Sequence, residues 1–416
     1  MLVAARRHNF RPNLRARNMT TGRGMADGHI IALSTHHSRC RILFWRLAGS
    51  SERAPGHKKR PGLIVVGCES LKRTPKWPYQ ALTDILTPVD DPQPMTPSDR
   101  PVILADIGGT NTRVALARGG QVAHDTIRRF ANADHSGLPA ILTAYLAEMA
   151  VGDCAGACIA AAGPVQDGVA EMTNLSWRIT PDDVRGATGA TSVSILNDLQ
   201  AQGHALDRLS PHSLRTILSG ANPARPGPRL VIGVGTGFNA APVHRTHGGL
   251  LVAASECGHQ SLPLRTDADL RLARFVEAAH GFAGVEDVLS GRGLERLYAF
   301  HATEAGAPPD LPAARIMDHI ATASDPIAMQ TCTTFVTLLG RVTGDLALTH
   351  LPFGGLYMIG GVARAFTPYL ADGFTAAFRD KGRFSSFMDD FTVQVIEDDY
   401  AALEGCAAHL SAEMAD

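Results

Sequence analysis

The sequence predicts an α/β protein whose folded part forms two lobes built on mixed sheets. Three observations carry this. Short apolar runs end in glycine-rich turns, as at 102–105 before Gly108-Gly109 and at 230–232 before Gly233. Stretches with helical spacing alternate with those runs. From Arg229 the chain repeats its opening in outline: an apolar strand, a glycine-threonine loop and a hairpin-like pair, which points to an internal duplication.

A length of 416 residues is enough for two lobes, and 41 glycines suit many tight strand-to-helix connections. Charge is uneven along the chain. Residues 1–80 hold 16 Lys and Arg against 3 Asp and Glu, while the whole chain holds 39 and 40. Residues 1–98 therefore read as a basic leader without a fold of its own, or as a start assigned upstream of Met95. Aromatics at 6% give no stacking platform, so no nucleic-acid partner is expected. No apolar run spans a bilayer, and arginine pairs interrupt the place of a signal peptide, so no membrane partner is expected either. The seven scattered cysteines, with no CxxC, fit reduced thiols in a cytoplasm.

Residues 102–105 read as a buried strand delivering Asp106 to a turn. Residues 112–117 and 122–130 read as two further strands, the first turning at Gly119-Gly120. A helix is expected over 139–149, then strands at 157–162 and 192–196. In the second half, strands are expected at 230–232, 238–243, 249–254, 355–359 and 392–396. Helices are expected at 267–280, at 326–348 with a break or bend near Gly340 or Gly344, and at 401–414. The small lobe then covers 99–198 and the large lobe 199–395, with 396–416 returning as a helix to the small lobe.

Two loops suit phosphate. In Asp106-Ile107-Gly108-Gly109-Thr110-Asn111 the glycines allow close backbone approach, and Thr110 adds a hydroxyl. Asp106 could hold Mg2+ directly or through water. Gly233-Val234-Gly235-Thr236-Gly237 exposes a second run of backbone donors. No lysine-bearing P-loop occurs, and the chain turns into a strand rather than a helix, which argues against a dinucleotide fold. Gly360 and Gly361 form a third turn that could admit an adenosine or simply end a strand.

Sugar chemistry has its own candidates. Asn197-Asp198 ends a strand. Asp198 could accept a hydroxyl proton, and the pair could equally cap the following helix. Asn174 offers a donor and an acceptor to vicinal hydroxyls or serves a turn. Glu256 and His259 stand three apart around Gly258, and Glu286 is a further carboxylate.

In order, these segments resemble the bacterial glucokinase family of the hexokinase and actin-like ATPase superfamily. The resemblance runs over 101–416 and rests on DIGGTNTR (106–113), MTNLSW (172–177), NDLQA (197–201), GVGTG (233–237), ECGH (256–259), VEDVLSG (285–291), MIGGVA (358–363) and FRDKGRF (378–384). It implies an actin-like, ribonuclease H-like fold with an interlobe cleft, a homodimer, and a kinase using ATP and Mg2+ to make glucose 6-phosphate. It implies Asp198 as the catalytic base and Asn197, Glu256, His259 and Glu286 as glucose ligands. The family often has Gly-Glu-Gly-Gly-His where this chain has Ser255-Glu256-Cys257-Gly258-His259. Other readings remain: a kinase for mannose or an amino sugar, or a non-catalytic sugar or ATP sensor.

Overall fold

The structure is a computed structural model that describes residues 100–415, apart from 173, 174, 224, 248 and 372, and, within the leader, only two strands. These are β1 (His29–His36) and β2 (Arg39–Arg46), an antiparallel pair. The remainder of the proposed leader lies outside the described residues, and the chain divides into compact units at 91/92.

The larger unit holds two six-stranded sheets and one small sheet. The first contains β3 (Val102–Ile107), β4 (Asn111–Arg118), β5 (Gln121–Val122), β6 (Arg128–Ala131), β7 (Gly156–Ala161) and β11 (Ser192–Asn197), ordered β11-β7-β3-β4-β5, with β6 also on β4. A small sheet is formed by β8 (Val165–Gln166), β9 (Val169–Glu171) and β10 (Arg178–Ile179). The second large sheet contains β12 (Leu214–Leu218), β13 (Arg229–Val234), β14 (Phe238–Thr246), β15 (Gly249–Val252), β16 (Leu356–Ile359) and β17 (Val393–Ile396), ordered β12-β17-β16-β13-β14-β15.

The duplication is visible in this wiring. In each sheet a central strand pairs antiparallel with the strand after its glycine turn, and parallel with a later strand on its other side. Thus β3 lies between β4 and β7, as β13 lies between β14 and β16. Both glycine-threonine turns therefore sit at the carboxyl end of a central parallel strand, where open α/β sheets present their ligand sites.

Helices cover the faces: α1 (Leu138–Met149), α2 (Pro181–Thr188), α3 (Asp198–Ala205), α4 (Asp267–His280), α5 (Gly291–Glu304), α6 (Ala313–Thr322), α7 (Pro326–His350), α8 (Gly361–Phe366), α9 (Phe374–Arg379) and α10 (Ala401–Glu413). Their starts follow local chemistry. Thr180 caps α2 with Pro181 at its first turn, and Thr266 and Asp269 cap α4 reciprocally. One face of the first sheet packs on α1, through Ile141, Leu142 and Tyr145 against Ile103, Ile107 and Ile159. The other face is closed by α10, whose Ala402, Leu403, Cys406, Ala407 and Leu410 meet Leu104, Ala115, Ala117 and Cys158. A further core joins Leu199 and Ala205 of α3 to Val231, Ala241 and Val243 of the second sheet. Helix α3 is thus shared by both lobes, and the boundary drawn at 198/199 falls at its head.

Two expectations change. The single strand expected over 122–130 is two strands separated by a short 3-10 turn at 124–126. Thr126 Oγ donates to the Ala123 carbonyl at 2.6 Å and accepts the Leu116 amide at 3.0 Å, so a hydroxyl replaces one rung of the ladder. Helix α7 runs unbroken through Gly340 and Gly344. Those glycines serve contact instead. A Cβ at Gly340 would lie 2.5 Å from the Phe374 carbonyl oxygen, and one at Gly344 would lie 2.7 Å from that of Phe378. The cysteines at 154, 158, 257, 332 and 406 are all buried.

Candidate active site

Strand β3 ends by placing Asp106 opposite Arg113 of β4, and the cross-strand pair forms an ion pair with Arg113 Nη1 3.0 Å from Asp106 Oδ2. Burial raises the Asp106 carboxyl above the ordinary range, opposed by the Arg113 charge and its hydrogen bond. The following turn is fastened by a residue the sequence did not single out. Asn132, fully enclosed, donates to the Gly108 carbonyl at 2.8 Å and accepts from the Thr112 hydroxyl at 2.8 Å, while its backbone amide reaches the Thr110 carbonyl at 2.9 Å. Thr110 itself is exposed and accepts from Asn111 Nδ2 at 2.8 Å. Truncating Asn132 would strand the buried Thr112 hydroxyl and the half-buried Gly108 carbonyl. Asn132→Ala is expected to lose about 1–3 kcal/mol in urea unfolding, more than Asn111→Ala.

At the end of β11, Asn197 is the N-cap of α3 in a capping box with Gln200. Its Oδ1 accepts the Leu199 amide at 3.0 Å, and its Nδ2 donates to the Gly163 carbonyl at 3.0 Å. The amide expected to meet a sugar is thus engaged by backbone at both ends, with one N–H remaining. Asp198 follows, half-buried at the helix N-terminus. Burial first, then the Asp106 and Glu256 charges, push its carboxyl up to about 7, against the opposing Leu199 amide bond. Asp198 therefore feels the charges of both Asp106, from the first sheet, and Glu256, from the loop after β15.

The second loop stands beside this cluster. A Cβ at Gly233 would lie 2.7 Å from Leu199 Cδ2, so the strand leading into the loop rests on the residue after Asp198. The Gly235 amide donates to the Gly237 carbonyl at 2.9 Å, and its carbonyl accepts the Gly291 amide at 2.8 Å at the start of α5. Thr236 is exposed at the tip. Gly360 approaches from β16 with φ +109°, and a Cβ there would lie 2.4 Å from the Val234 carbonyl oxygen. Both its conformation and its packing require glycine. Gly361 opens α8 and is exposed. The second and third glycine turns are therefore in contact.

Glu256 and His259 are exposed on the loop after β15, with Cys257–His259 forming a 3-10 turn. Glu256 Oε2 accepts from Asn239 Nδ2 at 3.1 Å. Glu286 lies behind: its Oε2 accepts the Phe238 amide at 2.9 Å, and its own amide donates to the Gly258 carbonyl at 2.8 Å. Glu286 thus braces the end of the second loop, through one carboxylate oxygen, against the 256–259 turn, through its backbone amide. Asn174 lies outside the described residues. Of the candidate positions, Asp106 and Glu256 act on Asp198 through charge, while Glu286 and Gly360 reach the second loop by hydrogen bond and contact.

A separate cavity of about 300 Å3 lies at the Phe378–Phe384 motif, lined by Arg265, Arg341, Asp345, Lys381 and Phe384. Its cations are already paired, Arg265 with Asp380, Arg341 with Asp269 and Lys381 with Asp345. Among the described residues, no group of three His, Cys, Asp or Glu could hold a metal by protein ligands alone, and no helix is long and apolar enough to cross a membrane.

The glucokinase family model matches residues 103–413. Glucokinase from Erwinia tasmaniensis is 32% identical over 310 residues, spanning 74% of this chain and 96% of the relative. Glucokinase from Marinobacter nauticus is 33% identical, with coverage of 74% and 96%. A crystal structure of glucokinase from an Antarctic psychrotroph is 31% identical and superposes with a TM-score of 0.66, covering 75% of this chain and 98% of that one. Glucokinase from Balamuthia mandrillaris, solved in complex with glucose, shares the fold at 21% identity and a TM-score of 0.63, over 76% and 94%. Every one of these matches spans three quarters of the chain and nearly all of the relative, and the chain belongs to the glucokinase family.

Proposed function

We propose that this kinase transfers the γ-phosphoryl group of ATP to the 6-hydroxyl of glucose, with Asp198 as the base. One observation carries the reading: a carboxyl pushed up to about 7 stands beside Asp106 and Glu256, next to the strand end that leads into the second glycine-threonine loop. A group of that basicity takes a proton readily near neutral pH, as a hydroxyl gives up its hydrogen to become a nucleophile. Near neutral pH Asp198 is ionised in part, and a substrate hydroxyl donating to it favours the charged form.

The other residues hold and orient. Backbone amides of residues 109–110 and 236–237 meet phosphate oxygens, and the Thr110 and Thr236 hydroxyls add donors. Gly360 and Gly361 admit the nucleoside beside the second turn. Glu256, His259, Glu286, Asn197 and Asn174 serve as ligands for the sugar hydroxyls. Arg113 occupies one oxygen of Asp106, and we assign the other to a metal. One carboxylate oxygen completed by waters and phosphate is a donor set that suits Mg2+, so Asp106 is the residue that would hold it. When bound, Mg2+ neutralises charge on the phosphates. The reading includes a homodimer, which the family resemblance implies, and a cytoplasmic location, which the scattered cysteines without CxxC support; sedimentation equilibrium checks the first.

The test is ADP formation by purified protein with ATP, Mg2+ and separate hexoses. Glucose should be turned over with higher kcat/KM than mannose or glucosamine, and a sugar-independent rate would remove the reading. The ionisation sets the pH dependence. Asp198 must be unprotonated to act, so kcat/KM for glucose should rise with pH from about 5.5 to 8, with its midpoint near 7. A flat profile over that range would take the base role away from this carboxyl.

A further inference from the structure

Glu256 is exposed, yet its carboxylate does not swing free. The side chain that holds it, Asn239, comes from the second position of β14 and belongs to none of the motifs above. All of its polar atoms are engaged. Nδ2 donates to Glu256 Oε2 at 3.1 Å and to the Ser255 carbonyl. Oδ1 accepts the Cys257 amide at 3.1 Å and the Ala240 amide at 2.8 Å. The Ser255 hydroxyl in turn donates to the Ala240 carbonyl at 2.7 Å. One amide therefore ties β14 to the backbone on both sides of Glu256 and to the carboxylate itself. The two positions where this chain carries a side chain in place of a common family glycine, Ser255 and Cys257, are the positions knitted into this network.

We propose that Asn239 is a positioning residue for the sugar: it occupies one oxygen of Glu256 and fixes the 255–257 loop, so that only the other oxygen meets substrate. This deepens the proposed function and rests on Glu256 being a hexose ligand. A carboxylate free to rotate can follow a hydroxyl in either configuration, whereas one pinned at a single oxygen rewards one epimer. Asn239 thereby contributes to discrimination between hexoses that differ at the hydroxyl Glu256 meets.

Two variants separate positioning from general support. Asn239→Ala removes every bond, while Asn239→Asp keeps the Oδ1 acceptor for the Cys257 and Ala240 amides and replaces the donor by a second carboxylate facing Glu256. Each should raise KM for glucose about tenfold, the scale of one hydrogen bond to a charged group, with kcat and KM for ATP changed less than about threefold. The preference for glucose over its epimers should narrow in both. In Asn239→Asp the glucose KM should fall again as pH is lowered, because a proton shared between the two carboxylates restores the donor. Glu256→Ala alone and Glu256→Ala with Asn239→Ala should behave alike, since Asn239 acts through Glu256. Full additivity in that pair, or loss of ATP affinity matching the loss for glucose, would overturn the proposal. If Glu256→Ala raises the glucose KM and neither Asn239 variant does, positioning by Asn239 fails and the sugar-site reading stands. If Glu256→Ala changes nothing, the sugar-site reading fails and takes this proposal with it.

Discussion

Replacing Asp198 by Asn should lower kcat by about 10²–10⁴-fold, the range that a positioned general base contributes, while glucose binding changes far less. The amide oxygen can still accept the Leu199 amide, as Asp198 Oδ1 does at 2.8 Å, so the head of α3 is kept. The same substitution should stabilise the fold in a pH-dependent way. The folded carboxyl titrates at about 7 and the unfolded one near the ordinary 3.8, so the native state binds the proton more tightly. Stability then declines as pH rises between those values, and the full penalty of a buried charge is present above 7. A neutral amide at this position carries no such penalty, so the gain in Tm of Asp198→Asn should be larger near pH 8 than near pH 5. Thermal unfolding at both values and steady-state kinetics check the two halves independently. A variant that keeps its kcat, or one with the same Tm shift at both pH values, would separate Asp198 from this role.

The largest stability effect is expected at Gly405. A Cβ there would lie 1.7 Å from the Ala201 carbonyl oxygen and 2.6 Å from its carbon, so α10 and α3 touch backbone to backbone. Gly405→Val should cost about 3 kcal/mol or more in urea unfolding, because neither helix can move without opening the cores they share. Gly405→Ala should also destabilise, although alanine is the better helix former by about 1 kcal/mol. Gly186 is the matched control. It lies inside α2 with open space around it, and Gly186→Ala should stabilise by roughly 0.5–1 kcal/mol. Since α3 begins at Asp198, activity should fall with Gly405→Val even in the fraction that remains folded. Equal stability of Gly405→Ala and wild type would show that the crossing has room to yield.

The order of elements was legible because each central strand is an apolar run closed by a glycine turn, and both signals are local. The same holds for the positions of Asp106, Asp198, Glu256 and Gly360, each at a strand end or in a turn. The supports were not legible. Asn132 serves Gly108 and Thr112 from 20 or more residues away, and Asn239 serves 255–257 from 16 to 18 away. A single polar side chain on a strand leaves no periodic trace of such a partner. Asn197 shows another limit. Sequence left it between helix cap and sugar ligand, and its geometry spends both ends of the amide on backbone. The break between β5 and β6 escaped because it depends on one threonine hydroxyl reaching across to Leu116.

The face of the first sheet formed by Leu104, Ala115, Ala117, Cys158 and Ala160 is covered by residues that come about 250 to 300 positions later, on α10. During synthesis much of that apolar surface stays bare while the whole second lobe is being made, since Ala201 of α3 joins the cluster early but α10 has yet to leave the ribosome. A nascent chain arrested anywhere in the second half would carry a sticky, unfinished sheet and would be a natural client for chaperones, whereas release of the last helix seals the sheet in one step.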